Sequence, residues 1–289
     1  MPRTRLLLAL LALVALMTAL AACGGDEGDE AEQAATGTIE TSCIKGDLDT
    51  IEAGVLTLGT DKPAFPPYFI DDDPSNGQGF ESAVAYGIAD RLGFTDSQVN
   101  WVVVPFNSSY APGPKRFDFD INQISITPQR AKQVDFSEPY YTTPQAVLVP
   151  AGSPFANATS VADLKDAKFG VQVGTTSLEA LESVIDPSQQ PQVFNDSNDT
   201  VRALKSKQVD AIVVDLPTAI YLRDVEVPGS KVVGQFPAPG GDDWGVVLAK
   251  GSRLTPCVNE ALGAMRASGE LDQITAQWIG AEAPVLDLE

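Results

Sequence analysis

The stretch FDFDINQISITPQRAKQVDFSEPYY, running from Phe117 to Tyr141, changes character part-way along. Phe117, Phe119 and Ile121 alternate with Asp118, Asp120 and Asn122, which is the period of a strand. Ser125 follows, and then Thr127-Pro128, a hydroxyl N-cap with proline at the first helical position. This predicts a helix start with Arg130 one turn in. A strand that ends in small hydroxyls, free backbone N–H groups and a guanidinium suits a carboxylate. N–H groups at a helix start attract anions, and a guanidinium grips a carboxylate through two parallel hydrogen bonds. The residue types leave a second reading open, in which Arg130 is a solvated surface side chain.

On either side the chain alternates short strands with helical patterns. Upstream, VLTL leads to Asp61 and a loop, KPAFPPYFIDDDPSNGQG, that carries Phe65, Tyr68 and Phe69. Phe80–Leu92 reads as an amphipathic helix whose apolar face holds Ala83, Val84, Gly87, Ile88 and Leu92. Trp101–Val104 is an unbroken apolar run, predicting a buried strand, with Phe106 just past its end. Pro112, Gly113 and Pro114 in NSSYAPGPKR argue against a full helix there. Downstream, Lys168–Val173 reads as a strand, and Gly174-Thr175-Thr176-Ser177 opens a helix whose N-terminal amides can meet an anion. Ser197 and Thr200 start another helix. Ala211–Val214 is a short apolar strand with Asp215 at its carboxyl end. Ligands bind at such strand ends in α/β sheets, although an aspartate before Leu216-Pro217 is also an ordinary N-cap. Thr255–Ser268 and Glu270–Trp278 read as closing helices.

Composition excludes several function classes. No histidine occurs, which removes histidine triads and histidine-ligated metals. The formal net charge of −20 comes with no basic stripe, which argues against nucleic acid. No Gly-rich phosphate-binding motif of the nucleotide-binding kinds is present, so no cofactor is expected.

Residues 1–22 read as a signal segment, with Arg3 and Arg5 before the apolar run Leu6–Leu16. It ends in Leu20-Ala21-Ala22-Cys23-Gly24, which resembles a bacterial lipobox and implies cleavage before Cys23 and lipidation of its thiol. The alternative is an uncleaved anchor near the lower length limit for spanning. Cleavage removes two arginines and no acid, taking the charge from −20 to −22. Residues 23–42 then form an acidic tether with too few apolar residues for a core, reaching roughly 25 Å as a flexible coil.

Seven segments in order resemble the family 3 solute-binding proteins, the polar amino-acid receptors of ABC importers. They are VLTLGTDKPAFPPYF, GQGFESAVAYGIADRLGF, FDFDINQISITPQR, VDFSEPYY, FGVQVGTTSLEAL, VDAIVVDLPTAIYL and WGVVLAKGS, covering roughly residues 53 to 280. The resemblance implies an α/β, two-lobed periplasmic-binding-protein (type II) fold with a central ligand cleft and two hinge crossings. Lobe one is expected over 43–142, lobe two over 143–236, and the hinge return with the rest of lobe one over 237–289. It assigns Arg130, Ser125, Thr175 and Thr176 to a ligand carboxylate, Asp215 to the α-ammonium, Phe65 and Phe106 to stacking, and Asp61 to the side chain. Gln123, with Asn122, departs from the small residues of many relatives and brings carboxamides to the ligand. Both Cys43 and Cys257 fall on one lobe of the resembled fold, which implies a disulfide; two separate thiols are the alternative. The expected partners are a polar amino acid, permease and ATPase subunits, and the membrane through the lipid, with the protein itself a monomer on the extracytoplasmic face. Two other classes stay open: a periplasmic cyclic-acid dehydratase on the same fold, and a ligand-sensing subunit of a receptor.

Overall fold

The computed structural model describes residues 43–239, 241–280 and 283–288. The signal segment, Cys23 and the tether expected at 1–42 lie outside the described residues. The chain folds into two α/β lobes, each around its own five-stranded sheet.

The first lobe begins with β1 (Leu56–Thr60), buried along its whole length. A proline-rich loop leads to α1 (Phe80–Arg91), then β2 (Val99–Val103), the four-residue α2 (Phe106–Ser109), β3 (Phe119–Asp120), β4 (Asp135–Phe136) and β5 (Tyr141–Thr142). The second lobe follows as β6 (Gln145–Val149), β7 (Phe169–Gln172), α3 (Thr176–Ala180), β8 (Gln192–Phe194), α4 (Ser197–Lys205), β9 (Ala211–Asp215), α5 (Leu216–Tyr221) and β10 (Lys231–Phe236). The chain returns through β11 (Asp243–Trp244) and β12 (Val247–Leu248) to α6 (Thr255–Ala267) and α7 (Glu270–Trp278).

Sheet one has the order β2-β1-β3-β12-β4 and sheet two the order β10-β6-β9-β7-β8. Parallel β1, β2 and β3 end together, as do parallel β7, β8 and β9, so each lobe offers a row of strand C-termini. Between the lobes, β5 pairs antiparallel with β11, Tyr141 opposite Trp244, and joins the two crossings as a small hinge ribbon. In the first lobe α1, α6 and α7 cover one sheet face through Val84, Ile88, Leu262, Met265 and Leu271. Cys43 and Cys257 are bonded there, S–S 2.08 Å, tying the start of the lobe to α6. Among the described residues no helix is long and apolar enough to cross a membrane.

Three features differ from the sequence reading. Trp101 to Val103 lie on an edge strand, not a buried one, and Val103 is 52% exposed. An apolar run cannot distinguish a central strand from an edge strand that is covered on one side only. The helix expected after Thr127-Pro128 is a single turn, Arg130–Lys132. Thr127 still caps it, its hydroxyl accepting from the Arg130 N–H at 3.2 Å. Lastly, residues 283–288 do not stay with lobe one, where 237–289 was expected. They cross back and run beside β10: the Gln235 N–H donates to the Pro284 carbonyl (2.8 Å) and the Leu286 N–H to the Gln235 carbonyl (2.9 Å). Leu286 is buried in the lobe-two core. Gly234 makes room for it, because a Cβ there would lie 2.6 Å from the leucine side chain. A tail of six residues carries no period long enough to assign to a lobe.

Candidate ligand cleft

The two rows of strand ends face each other across one cleft of about 110 Å³. All nine residues expected at a ligand line it: Asp61, Phe65, Phe106, Gln123, Ser125 and Arg130 from lobe one, Thr175, Thr176 and Asp215 from lobe two. The space suits a small molecule, not a polymer.

Arg130 is buried at the inner end. Its Nη1 donates to the Ser125 carbonyl at 2.8 Å and its Nη2 to the Gly174 carbonyl of lobe two at 2.9 Å. A guanidinium has five N–H donors, so these two carbonyls leave donors over for an anion. Burial lowers its pKa from the ordinary arginine value. The Ser125 and Thr176 hydroxyls meet across the cleft at 3.1 Å. Thr175 is a true N-cap: its hydroxyl accepts from the Leu178 N–H at 3.1 Å and donates to the Gln172 carbonyl at 2.9 Å. Its contribution toward the cleft is therefore backbone, not hydroxyl.

Asp215 ends β9 and starts α5, yet its side chain makes no capping bond. Its Oδ1 instead accepts from the Gln145 amide at 2.7 Å. That removes the N-cap reading of this residue. Desolvation in the cleft raises its pKa to about 7, and the charge of Asp242 adds to the rise. Asp61 takes backbone N–H groups from Lys62 at 2.7 Å and Phe106 at 3.3 Å. Its pKa is raised, chiefly by burial and in smaller part by Asp196, which lines the cleft from lobe two. Phe65 meets Tyr221 of lobe two edge-on, centroids 5.5 Å apart. Phe106 lies 5.6 Å from the Arg130 guanidinium carbon.

Gln123 does not behave as a free carboxamide. It holds a left-handed backbone, φ 48°, and its N–H donates to Glu81 Oε1 at 2.6 Å while its side-chain amide donates to Oε2. Tyr140 donates its hydroxyl to the same carboxylate. Burial lifts Glu81 to about 7 in spite of these donors. Sequence reasoning missed Glu81, which sits among apolar helix positions, and Gln145, which sits in the hinge. It also missed Asp196, whose role as N-cap of α4 hides its exposure to the cleft. Tyr110 was likewise missed; its ring stacks on Arg130 with the guanidinium carbon 4.4 Å from the centroid.

Opposed strand ends, a hinge ribbon and a cleft with one buried cation facing carboxylates define the comparison to known proteins. A sequence profile of the bacterial extracellular solute-binding proteins, family 3, matches residues 56–281. The chain belongs to this family. As a family 3 solute-binding protein it has the two-lobed type II periplasmic-binding-protein fold. It is 30% identical over 236 residues to the L-cystine-binding protein TcyJ of Escherichia coli, covering 80% of this chain and 85% of that one. It is 28% identical to the arginine-binding extracellular protein ArtP of Bacillus subtilis, covering 78% and 87%. Among solved structures it resembles an ancestral arginine-binding protein bound to glutamine, with TM-score 0.68, 34% identity, and 80% and 100% coverage. It also resembles an ancestral amino-acid-binding protein described as a precursor of cyclohexadienyl dehydratase, with TM-score 0.65, 31% identity, and 78% and 95% coverage.

Proposed function

We propose that this protein captures a free polar amino acid by cleft closure and delivers it to an ABC permease, while held on the outer face of the membrane by a lipid on Cys23. The observation that carries the reading is the pairing of Arg130 with Asp215 in one cleft, one from each lobe. Arg130, Ser125 and the amides of Thr175 and Thr176 take the α-carboxylate; Asp215 takes the α-ammonium. A ligand that touches both lobes binds the closed form better than the open one and so shifts the population toward closure. A few charge-assisted hydrogen bonds of ~1.5–3 kcal/mol each suffice for micromolar affinity, about −8 kcal/mol.

The side-chain end of the cleft favours a positive ligand group. Asp61 and Asp196 face it from opposite lobes, while Lys62 at the rim is already paired with Asp72 at 3.1 Å. Relatives named for arginine binding agree with this. Calorimetric titration with arginine, lysine, histidine, glutamine, glutamate and cystine tests the reading. A basic amino acid should bind at least tenfold more tightly than glutamate. Equal binding of glutamate would overturn the charge assignment, and no binding by any member would overturn the amino-acid reading. Turnover of prephenate or arogenate by the purified protein would move it to the dehydratase class.

A further inference from the structure

The segment after α2 follows no regular helix, and it builds a contact between the lobes. Tyr110 closes α2, and Ala111-Pro112-Gly113-Pro114 then turns away, with Gly113 at φ 106°. The Tyr110 hydroxyl lies 3.0 Å from the Gly174 carbonyl of lobe two and also contacts the Asn107 side chain. A phenol has one proton. It serves both neighbours when Asn107 turns its amide nitrogen inward, leaving the O–H for Gly174; amide orientation is an assignment made from the hydrogen-bond network.

Gly174 is shaped for this. Its φ is 76°, and a Cβ there would fall 2.9 Å from the Tyr110 oxygen and onto Asn107. The Gly174 carbonyl also accepts from Arg130 Nη2 at 2.9 Å. One lobe-two carbonyl, with two lone pairs, is thus held by two lobe-one donors. The Tyr110 ring also covers one face of the Arg130 guanidinium and meets Phe106 edge-on at 5.5 Å. This fixes the plane in which Arg130 presents its remaining donors.

We propose that Tyr110 is a positioning residue for ligand capture, orienting Arg130 and latching the closed lobes through the Gly174 carbonyl, so that it sets how fast ligand leaves. The inference rests on the amino-acid reading above for its ligand but not for its latch. Contacts made only after closure act on dissociation more than on encounter.

The test uses the full-length protein and the variants Tyr110→Phe, which keeps the ring, and Gly174→Ala, which blocks the approach from the other side. With arginine as the probe, stopped-flow release should quicken about threefold to tenfold in Tyr110→Phe, with association within twofold of wild type. The double variant should release no faster than the faster-releasing single variant, because both changes break one contact. A second arm needs no ligand: energy transfer between labels at Ser97→Cys and Val225→Cys should report more open protein in both variants than in wild type. Unchanged release together with an unchanged label distance would overturn the latch and leave Tyr110 as loop packing. If no amino acid binds wild type, the amino-acid reading fails, and the label distance alone then upholds or overturns the latch.

Discussion

At the scale of single residues, the two cleft charges from opposite lobes make separable predictions. Arg130→Ala removes the buried cation, and Asp215→Asn keeps shape while removing the countercharge to an ammonium. Each leaves a ligand charge unpaired in a closing cleft, a loss of about 2–5 kcal/mol, or roughly 30-fold to several thousand-fold in affinity. Titration calorimetry should show this with folding retained; binding within threefold of wild type would remove the assigned role. The pH dependence has a definite sign. Burial raises Asp215 to about 7, and an ammonium requires its ionised form. Affinity should therefore fall as pH drops from 8 to 5.5, and binding near pH 6.5 should release a substantial fraction of a proton, roughly three-quarters. Calorimetry in buffers of different ionisation enthalpy measures that release; pH-independent affinity across this range would exclude Asp215 as the ammonium partner. The cleft positions of Arg130 and Asp215 were legible because Asp215 ends a short apolar strand and Arg130 follows Thr127-Pro128, each in a segment that resembles the family. Gln123 was legible in position but not in direction, since nothing in its local sequence shows that Glu81, 42 residues earlier, takes its amide.

At the scale of elements, helices longer than two turns followed from the sequence pattern, as α1, α6 and α7 show. What failed was short or depended on neighbours. The turn at Arg130 stops because the chain must enter β4 at once, and the edge position of β2 is a matter of sheet order. Two elements carry stability predictions. The Cys43–Cys257 bond closes a separation of 214 residues, so its loss should cost several kcal/mol, at most about 5 in the chain-entropy model. Non-reducing peptide mapping should recover the linked pair, and reduction should lower the melting temperature; free thiols at both positions would contradict the bond. Leu286→Ala should cost about 2–5 kcal/mol, the range for a leucine truncated in a core, although the residue lies three from the last. A tail resting loosely on the surface would lose less than 0.5 kcal/mol in denaturant melts.

At the scale of the whole molecule, buried acids set the response to pH. Burial raises Glu81 and Asp215 to about 7 and Asp242 to about 6. Below those values the native state holds protons that the unfolded chain has released, down to the ordinary carboxylate range. By linkage, stability falls as pH rises through that window. The ligand-free protein should melt higher at pH 5.5 than at pH 8, and a bound ammonium should narrow the gap by favouring ionised Asp215. Scanning calorimetry at both values, with and without arginine, checks it; a higher melting temperature at pH 8 without ligand would refute it. The returning tail has a mechanical consequence as well. Ile279 is sunk in the core of lobe one, and the Ala283 carbonyl accepts from the Gln235 side chain on lobe two at 2.7 Å. Only four residue steps separate these moorings, so they can part by at most about 14 Å. The tail is a leash of fixed length: any gape wider than that must first peel residues 283–288 away from β10.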